Sequence, residues 1–255
     1  MTDPFADNPD LVACARLTEQ GDPERFAATM AAPVQARTAL FPLYAFNVEV
    51  SRAPWVTQEP MIAQMRLQWW WDALEEIRAG GMVRRHEVVT PLALVLDAQG
   101  AALLQDLVEA RRLDIERAPF ADEAALWDYL EKTGGALMAA TARALGATDL
   151  TAAQQIGTAS GLASYFRAVP TLESRNRQPL PEGTPEAVAR LACAGLERLT
   201  TARRHPAPPR AATLAAWQTK PLLKRAAASP QRVANGTLAL SEFQKRARLI
   251  AATLV

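Results

Sequence analysis

Apolar residues recur along this 255-residue chain at the spacing of one helix face, and the alternation typical of half-buried strands is nearly absent. Met61, Met65 and Trp69, for example, follow one another at intervals of four residues. The hydrophobic share of 49% with 22% charged residues is that of a globular chain and not of a disordered one. The pattern predicts an all-α protein of about eight helices, forming a single domain over residues 1–255.

Proline and glycine divide the helical pattern. Pro91 and Pro119 are each placed to begin a helix, because proline is tolerated in the first helical turn. Gly146 is placed to end the helix that starts near Pro119, and Pro170 is expected to end the next one. Gly134 and Gly157 fall inside predicted helices. We interpret Gly134 as a point of close helix approach or a kink at a cavity, and Gly157 as a point of close helix approach.

The near-neutral net charge of +1 conceals an asymmetry along the chain. Residues 201–255 carry ten basic residues and one acidic residue, a net +9, which leaves the first 200 residues at −8. This basic segment is a candidate docking surface for an anionic membrane or a partner protein, with a solvated helix face as the alternative. No nucleic-acid motif accompanies the charge, so we predict no nucleic-acid partner. The docking candidates are Arg203, Arg204, Lys220, Lys224, Arg225, Lys245, Arg246 and Arg248.

Several classes of protein are excluded or disfavoured. Cys14 and Cys193 are too few for a disulfide scaffold, and His86 and His205 are far apart in sequence, so no zinc motif is present. The acidic start lacks both a basic region and an apolar region, which fits a bacterial protein without an export or import signal. The uncharged stretch Leu150–Phe166 is too short and too polar to span a membrane. A cytoplasmic protein is expected.

Three consecutive tryptophans, Trp69, Trp70 and Trp71, cannot all point one way, because successive helical residues turn by about 100°. At least one should be buried, and one should lie on another surface. Two interpretations remain open, a core helix with amphipathic rim residues or an aromatic wall of an apolar ligand cavity.

Four segments in order carry a resemblance to a known family. They are LYAF at Leu43–Phe46 (preceded by Arg37), EPMIAQMRLQWWWDAL at Glu59–Leu74, YLEKTGGALM at Tyr129–Met138 and IGTASGLASYFRAVPTLESRNRQPLP at Ile156–Pro181. Together they resemble the squalene/phytoene synthase family over roughly residues 20–250. The resemblance implies an isoprenoid-synthase-type helical bundle.

The family joins two prenyl diphosphates head to head, with Mg²⁺ held by two acidic motifs that face each other across the bundle. Here the corresponding positions hold Ser51 and Trp55 in the first motif, and Ala168 and Leu172 in the second. None of these side chains offers the carboxylate oxygens that Mg²⁺ prefers. We therefore predict no metal site, no catalytic residues and no cofactor, with Mg²⁺ required only if the chain is an active synthase after all.

Two kinds of ligand site remain to be considered, a metal site at other positions and a residual pocket for a prenyl diphosphate. Asp72, Glu75 and Glu76 share a helix face, where a solvated charge run is the favoured interpretation over a metal site. The resemblance also suggests a vestigial diphosphate and prenyl pocket, although each arginine in it could instead form an ordinary ion pair. Its candidate residues are Arg25, Arg37, Tyr44, Arg66, Tyr129, Tyr165, Arg167, Arg175 and Arg177.

One branch of the family has lost its metal aspartates while keeping the LYAFN and RLQWW sequences, as this chain does. That branch includes a mitochondrial assembly factor for respiratory complex I and relatives in alphaproteobacteria. The resemblance thus implies a non-catalytic protein that assists assembly of a membrane respiratory complex. Its expected partner is a complex subunit or assembly intermediate at the inner membrane, with an anionic lipid surface and an isoprenoid ligand as further candidates. The alternatives are a head-to-head prenyltransferase and an isoprenoid- or lipid-binding protein without catalysis.

Overall fold

The computed structural model describes residues 5, 7–116 and 118–254, apart from the side chain of Leu254. No β-strand occurs in this part of the chain, so the predicted all-α class is confirmed. The described residues form α1 (Pro9–Gly21), α2 (Pro23–Ala31), α3 (Val34–Arg52), α4 (Pro60–Arg78), α5 (Val89–Ala93), α6 (Ala98–Ala110), α7 (Leu113–Glu116), α8 (Glu123–Leu130), α9 (Ala136–Ala144), α10 (Thr151–Ser174), α11 (Pro185–Ala202), α12 (Arg210–Thr213), α13 (Thr219–Ala228), α14 (Gln231–Ala234) and α15 (Glu242–Leu254). The single-domain assignment stays a prediction, and both ends of the range 1–255 lie outside the described residues.

The expectation of about eight helices is wrong, because capping residues divide several of the predicted ones. The Asp97 carboxylate accepts the Gly100 N–H at 2.8 Å and begins α6, which separates it from the short α5 that contains Pro91. Gly146 follows α9 in the left-handed region, at φ +94°, as a helix stop requires. Pro170 does not end α10, which continues to Ser174, since an internal proline removes one backbone hydrogen bond without forbidding the next turn.

The helices enclose two main apolar clusters. The first joins α1, α3, α4 and α6 around side chains such as Phe46 and Leu104. The second joins α8, α10, α11 and α13 around Phe166 and Leu223. Of the three tryptophans, Trp70 is buried and packs edge-on against Phe46 at 5.4 Å, while Trp69 and Trp71 are half-buried. The expectation that at least one of them would be buried is confirmed, and the ring of Trp69 stays in edge contact with that of Trp70 at 4.9 Å.

A π-helical turn, Glu131–Gly135, joins α8 to α9 and packs closely on α10. A Cβ atom added at Gly157 would lie 2.4 Å from the Gly134 carbonyl oxygen. The close helix approach expected from these glycines is confirmed. No helix within the described ranges combines the length and the apolar character needed to cross a membrane.

Candidate functional site

Two adjoining cavities open between α3, α8 and the C-terminal half of α10. The outer one has a volume of about 460 Å³ and the inner one about 220 Å³. They share wall residues that include Ser51, Arg111 and Tyr165, so they adjoin, and we call the two cavities together the central cleft. Its volume is within the roughly 300–1,000 Å³ of small-molecule sites.

All four positions at which the family resemblance places metal-binding carboxylates lie in the wall of the outer cavity. Ser51 and Trp55 come from α3 and the 3₁₀ turn after it, and Ala168 and Leu172 come from α10. The Ser51 hydroxyl donates to the Val48 carbonyl at 3.0 Å, within its own helix. The two halves of the motif pair thus face one cavity but bring no carboxylate to it.

Trp55 replaces a carboxylate position with a platform for two arginines. The guanidinium groups of Arg175 and Arg177 lie 4.9 and 4.8 Å from the centroid of its ring. Arg177 also donates a hydrogen bond to the backbone carbonyl of Asp114. Both arginines line the cleft, as expected for the residual phosphate pocket, but in this arrangement they contact an aromatic ring.

A hydrogen-bonded network forms one wall of the cleft. Arg111 Nη1 donates to the Tyr129 hydroxyl at 2.6 Å and to the Asp114 carboxylate at 3.2 Å, and the hydroxyl donates to Asp114 at 3.0 Å. Burial raises the pKa of Tyr129 well above its ordinary value, so the phenol stays protonated. Arg111 Nε is buried without a hydrogen-bond partner among the described residues. Sequence reasoning missed Arg111 and Asp114, for which the only signal was an Arg–Asp pair three residues apart.

Aromatic rings complete the outer wall. Phe120 lies 5.3 Å from Tyr129 and 6.1 Å from Tyr165, measured between ring centroids. The Tyr165 hydroxyl donates to the Pro179 carbonyl at 2.9 Å, and burial raises the pKa of this phenol. The outer cleft therefore combines an apolar aromatic wall with a cationic edge.

The inner end of the cleft narrows sharply. Arg25 lines the inner cavity, pairs with Asp22 and lies 5.7 Å from the ring centroid of Tyr44. Tyr44 is buried, and burial raises its pKa to about 12. The space beside Tyr44 measures only about 10 Å³, which is about the volume of one water probe. Among the described residues, the space thus decreases from about 220 Å³ in the inner cavity to about 10 Å³ beside Tyr44.

The residues present do not fit a Mg²⁺ cluster. Asp22, Asp114 and Asp128 line the cleft, and each is paired with a basic side chain nearby. In the described part of the chain, no three His, Cys, Asp or Glu residues group closely enough to hold a metal ion. On α4, the half-buried Glu75 and Glu76 pair with Arg78 and Arg84, and Glu75 also accepts a hydrogen bond from Gln105 of α6 at 2.9 Å.

Three of the predicted pocket residues lie elsewhere. Arg37 donates to the backbone carbonyls of Met30 and Ala32, where it caps the end of α2. Arg66 lines a separate cavity of about 200 Å³ beside α3. Arg167 points away from the cleft and pairs with Glu24 at 2.6 Å. The cleft therefore brings together Arg25, Tyr129, Tyr165, Arg175 and Arg177 of the predicted set, with Tyr44 at its closed end.

The predicted docking residues divide into two groups. Lys245 pairs with Glu242 and Glu24, and Arg225 donates to the Ala239 carbonyl and to Gln244, so both help to hold the fold together. The others are exposed and form no ion pair within the described ranges: Arg203, Arg204, Lys220, Lys224, Arg246 and Arg248.

Solved structures with the same architecture define the class of fold. A dehydrosqualene synthase in complex with ligand aligns over 98% of both chains, with a TM-score of 0.77 and 15% identity. The squalene synthase HpnC from Alicyclobacillus acidocaldarius aligns over 95% of this chain and 92% of its own, with a TM-score of 0.62 and 17% identity. The fold is that of the isoprenoid-synthase helical bundles.

The sequence profile of the squalene/phytoene synthase family matches residues 18–254, and the chain belongs to that family. Its curated relatives include the NADH dehydrogenase (ubiquinone) complex I, assembly factor 6 homolog of Drosophila melanogaster, which is 34% identical over 175 residues. The human NADH dehydrogenase (ubiquinone) complex I, assembly factor 6 is 27% identical over 183 residues. The matches cover 65% and 66% of this chain but 52% of each relative, so the chain spans about half the length of these relatives.

Proposed function

We propose that this chain is a non-catalytic member of its family that acts in the assembly of respiratory complex I. The observation that carries the proposal is the wall of the central cleft, where Ser51, Trp55, Ala168 and Leu172 occupy the positions of the metal-binding carboxylates. Ionisation of a prenyl diphosphate needs divalent ions that bridge protein carboxylates and diphosphate oxygens. Here the charges that remain in the cleft are already paired with one another or stacked on Trp55.

The names of the relatives support the choice of partner. Insect and mammalian proteins called complex I assembly factor 6 match two thirds of the chain, including a relative at 34% identity. A complex I subunit or assembly intermediate is therefore the partner that we propose. In cells that are building complex I, the tagged full chain should migrate with a subassembly on native gels and co-purify with its subunits. Migration only as free protein, with no complex I subunit enriched over a tag-only control, would contradict the proposal.

We also propose peripheral attachment to an anionic membrane, through the outer face of α15. Phe243 and Ile250 are seven residues apart, so they share a helix face, and they are 81% and 59% exposed. The opposite face contacts the body of the protein, where Lys245 Nζ lies 3.7 Å from Glu24 and Leu249 packs on the first cluster. An apolar stripe turned to solvent on a basic helix is typical of segments that lie in a membrane interface.

The charges around this stripe favour an anionic surface. Arg246 is exposed beside this stripe, about 60° from Phe243 around the helix, whereas the exposed Arg248 lies about 140° from it. A basic residue near an anionic bilayer contributes about 1 kcal/mol. The exposed Glu242 reduces the local charge but is paired with Lys245. The described residues contain no spanning helix, so the proposed attachment rests on this face.

Sedimentation with vesicles tests the attachment. The full chain should sediment with vesicles that contain phosphatidylglycerol and less so at high salt, because exposed charges are screened. Replacing Phe243 and Ile250 by serine should lower binding, whereas the matched control, Met82→Ser with Leu94→Ser, removes similarly exposed apolar side chains elsewhere and should not. Equal loss in both variants, or equal binding to neutral phosphatidylcholine vesicles, would contradict the proposed face.

A second candidate function, binding of an anionic isoprenoid without catalysis, is favoured by the unpartnered Arg111 Nε in the cleft wall. Phe120, Tyr129 and Tyr165 offer an apolar surface next to it. Titration with farnesyl diphosphate, with and without Mg²⁺, should show Mg²⁺-independent binding and no release of diphosphate. Turnover would instead support a head-to-head prenyltransferase, and the absence of binding would remove this candidate.

A further inference from the structure

A second pocket lies on another side of the protein and shares no wall residue with the central cleft. It has a volume of about 480 Å³, opens to solvent, and is lined by the first turns of α10, the end of α11, the proline-rich loop 204–209 and the start of α13. Along α10, Ile156 in this pocket and Tyr165 in the central cleft are nine residues apart, or about 14 Å. The two pockets are therefore separate sites on α10.

The floor of this pocket is apolar. Ile156 comes from α10, Leu199 and Ala202 from α11, and Trp217 from the segment before α13. Ile156 packs on a small cluster that includes Ala153 and Ala212, whereas Leu199 and Trp217 pack on the second and first clusters, so the floor rests on the packed core. A slim hydrocarbon chain is the kind of group that such a floor excludes from water.

The rim of the pocket is basic. Arg203 and Lys220 approach from two different helices, and neither forms an ion pair within the described part of the chain. His205, which also lines the pocket, lies between them in sequence. It is close to the carboxylate of Asp149, a residue that is not part of the pocket wall. None of the described wall residues is acidic. A guanidinium and an ammonium on one rim suit a carboxylate or phosphate head group, through charge-assisted hydrogen bonds.

Trp217 contributes its ring to the pocket wall. Its indole N–H is buried and has no acceptor among the described residues. Because that nitrogen is closed off from solvent, it does not open into the pocket, and the ring offers the pocket an apolar surface.

We propose that this pocket binds a single-chain amphiphile with an anionic head group. The chain packs against Ile156, Leu199 and Trp217, and the head group is held between Arg203 and Lys220. Free fatty acids and lysophospholipids share this chemistry. The proposal is separate from the assembly role, since failure to bind an amphiphile would leave the co-purification with complex I subunits untouched.

Calorimetric titration of the full chain with myristate and with lysophosphatidylglycerol tests the proposal, and the probe that binds more tightly indicates whether the ligand is a free fatty acid or a lysophospholipid. One site should be seen with either probe. Tetradecanol has the same hydrocarbon chain as myristate without the charge, and its affinity should be lower by about tenfold or more. Arg203→Ala with Lys220→Ala should weaken binding about tenfold or more, because both head-group contacts are lost. The matched control is Arg204→Ala with Lys224→Ala, which removes the same charge from exposed positions outside the pocket wall and should change affinity less than about twofold.

A steric variant gives an independent test. Ala207 is exposed on the pocket wall, so Ala207→Trp adds bulk to the pocket without disturbing a buried core position. This variant should abolish binding while its urea unfolding midpoint stays that of the wild type. Absence of binding by both anionic probes, equal affinity for tetradecanol, or equal weakening by the Arg204/Lys224 control would each overturn the proposal.

Discussion

Replacing Gly157 by alanine should destabilise the protein, because α10 and the π-helical turn touch at this residue. The new Cβ atom would lie 2.4 Å from the Gly134 carbonyl oxygen, 2.7 Å from Met138 Cβ and 3.0 Å from Gly135 Cα. Ordinary contacts begin at 3.4 Å, so the two elements would have to separate by about 1 Å. The inner end of the central cleft, which this contact closes, would widen as a result.

The size of the effect follows from two opposing terms. Overpacking a tight contact costs about 1–3 kcal/mol, and the upper end applies here because two of the three opposing atoms belong to the backbone and cannot rotate away. Alanine is better than glycine inside a helix by about 1 kcal/mol. The net loss in free energy of unfolding should therefore be about 2 kcal/mol.

Gly161, one turn further along α10, provides the matched control. A Cβ atom there would meet its nearest neighbours at 3.5 Å, which is ordinary contact, so Gly161→Ala should be neutral or stabilising by up to about 1 kcal/mol. Urea unfolding of the two variants, with equal m-values, would measure a difference of about 2–3 kcal/mol between them. If Gly157→Ala proved as stable as Gly161→Ala, the close helix contact described here would be refuted.

Three further predictions concern single side chains. Trp55→Ala should lower the free energy of unfolding by about 1–2 kcal/mol in urea titrations, because two stacked arginines lose their ring, and an unchanged stability would contradict the stacking. Burial alone would raise the pKa of Glu24, but hydrogen bonds from Arg167 and from the side-chain amide of Gln218 lower it below the ordinary 4.5. The ion pair of Glu24 with Arg167 therefore stabilises the fold above pH 4.5 and loses its effect as the pH falls through the lowered pKa. The difference in free energy of unfolding between wild type and Glu24→Gln should shrink in acid. A difference that does not depend on pH would refute this prediction. Iodoacetamide should modify the exposed Cys193 in the native protein and modify Cys14 only after unfolding, because burial raises the pKa of the Cys14 thiol to about 12. Modification of both thiols in the native protein would contradict this prediction.

The helical class of the fold and the four residues at the substituted metal positions could be predicted from the sequence. Helical spacing is a local property, so the all-α class follows from it directly. The order of the four segments also located the substituted metal positions, and the structure places Ser51, Trp55, Ala168 and Leu172 in one wall. The family assignment required nothing beyond those segments, and the profile match to residues 18–254 agrees with it.

The directions of individual side chains could not be predicted in the same way. Arg167 and Ala168 are adjacent, but successive helical residues differ by about 100°, so Ala168 lines the cleft while Arg167 pairs with Glu24 on another face. The network of Arg111, Asp114 and Tyr129 depends on how the segment between α6 and α8 folds back, which no local pattern specifies. Tertiary packing decides both features.

The number of helices was mispredicted for a related reason. Asp97 caps α6 through the Gly100 N–H, so one apolar run became two helices. Pro170 remains within α10, where Phe166 and Val169 just before it are buried in the second cluster. A capping side chain thus divided one predicted helix at Asp97, and the general rule that proline ends a helix did not hold at Pro170.

The amount of assembled complex I in a strain that lacks this protein tests the central claim most directly. Native gels and NADH:ubiquinone oxidoreductase activity should show loss of the mature complex with accumulation of a subassembly, and expression of the chain should restore both. Normal levels of active complex I in the deletion strain would contradict the proposed assembly role.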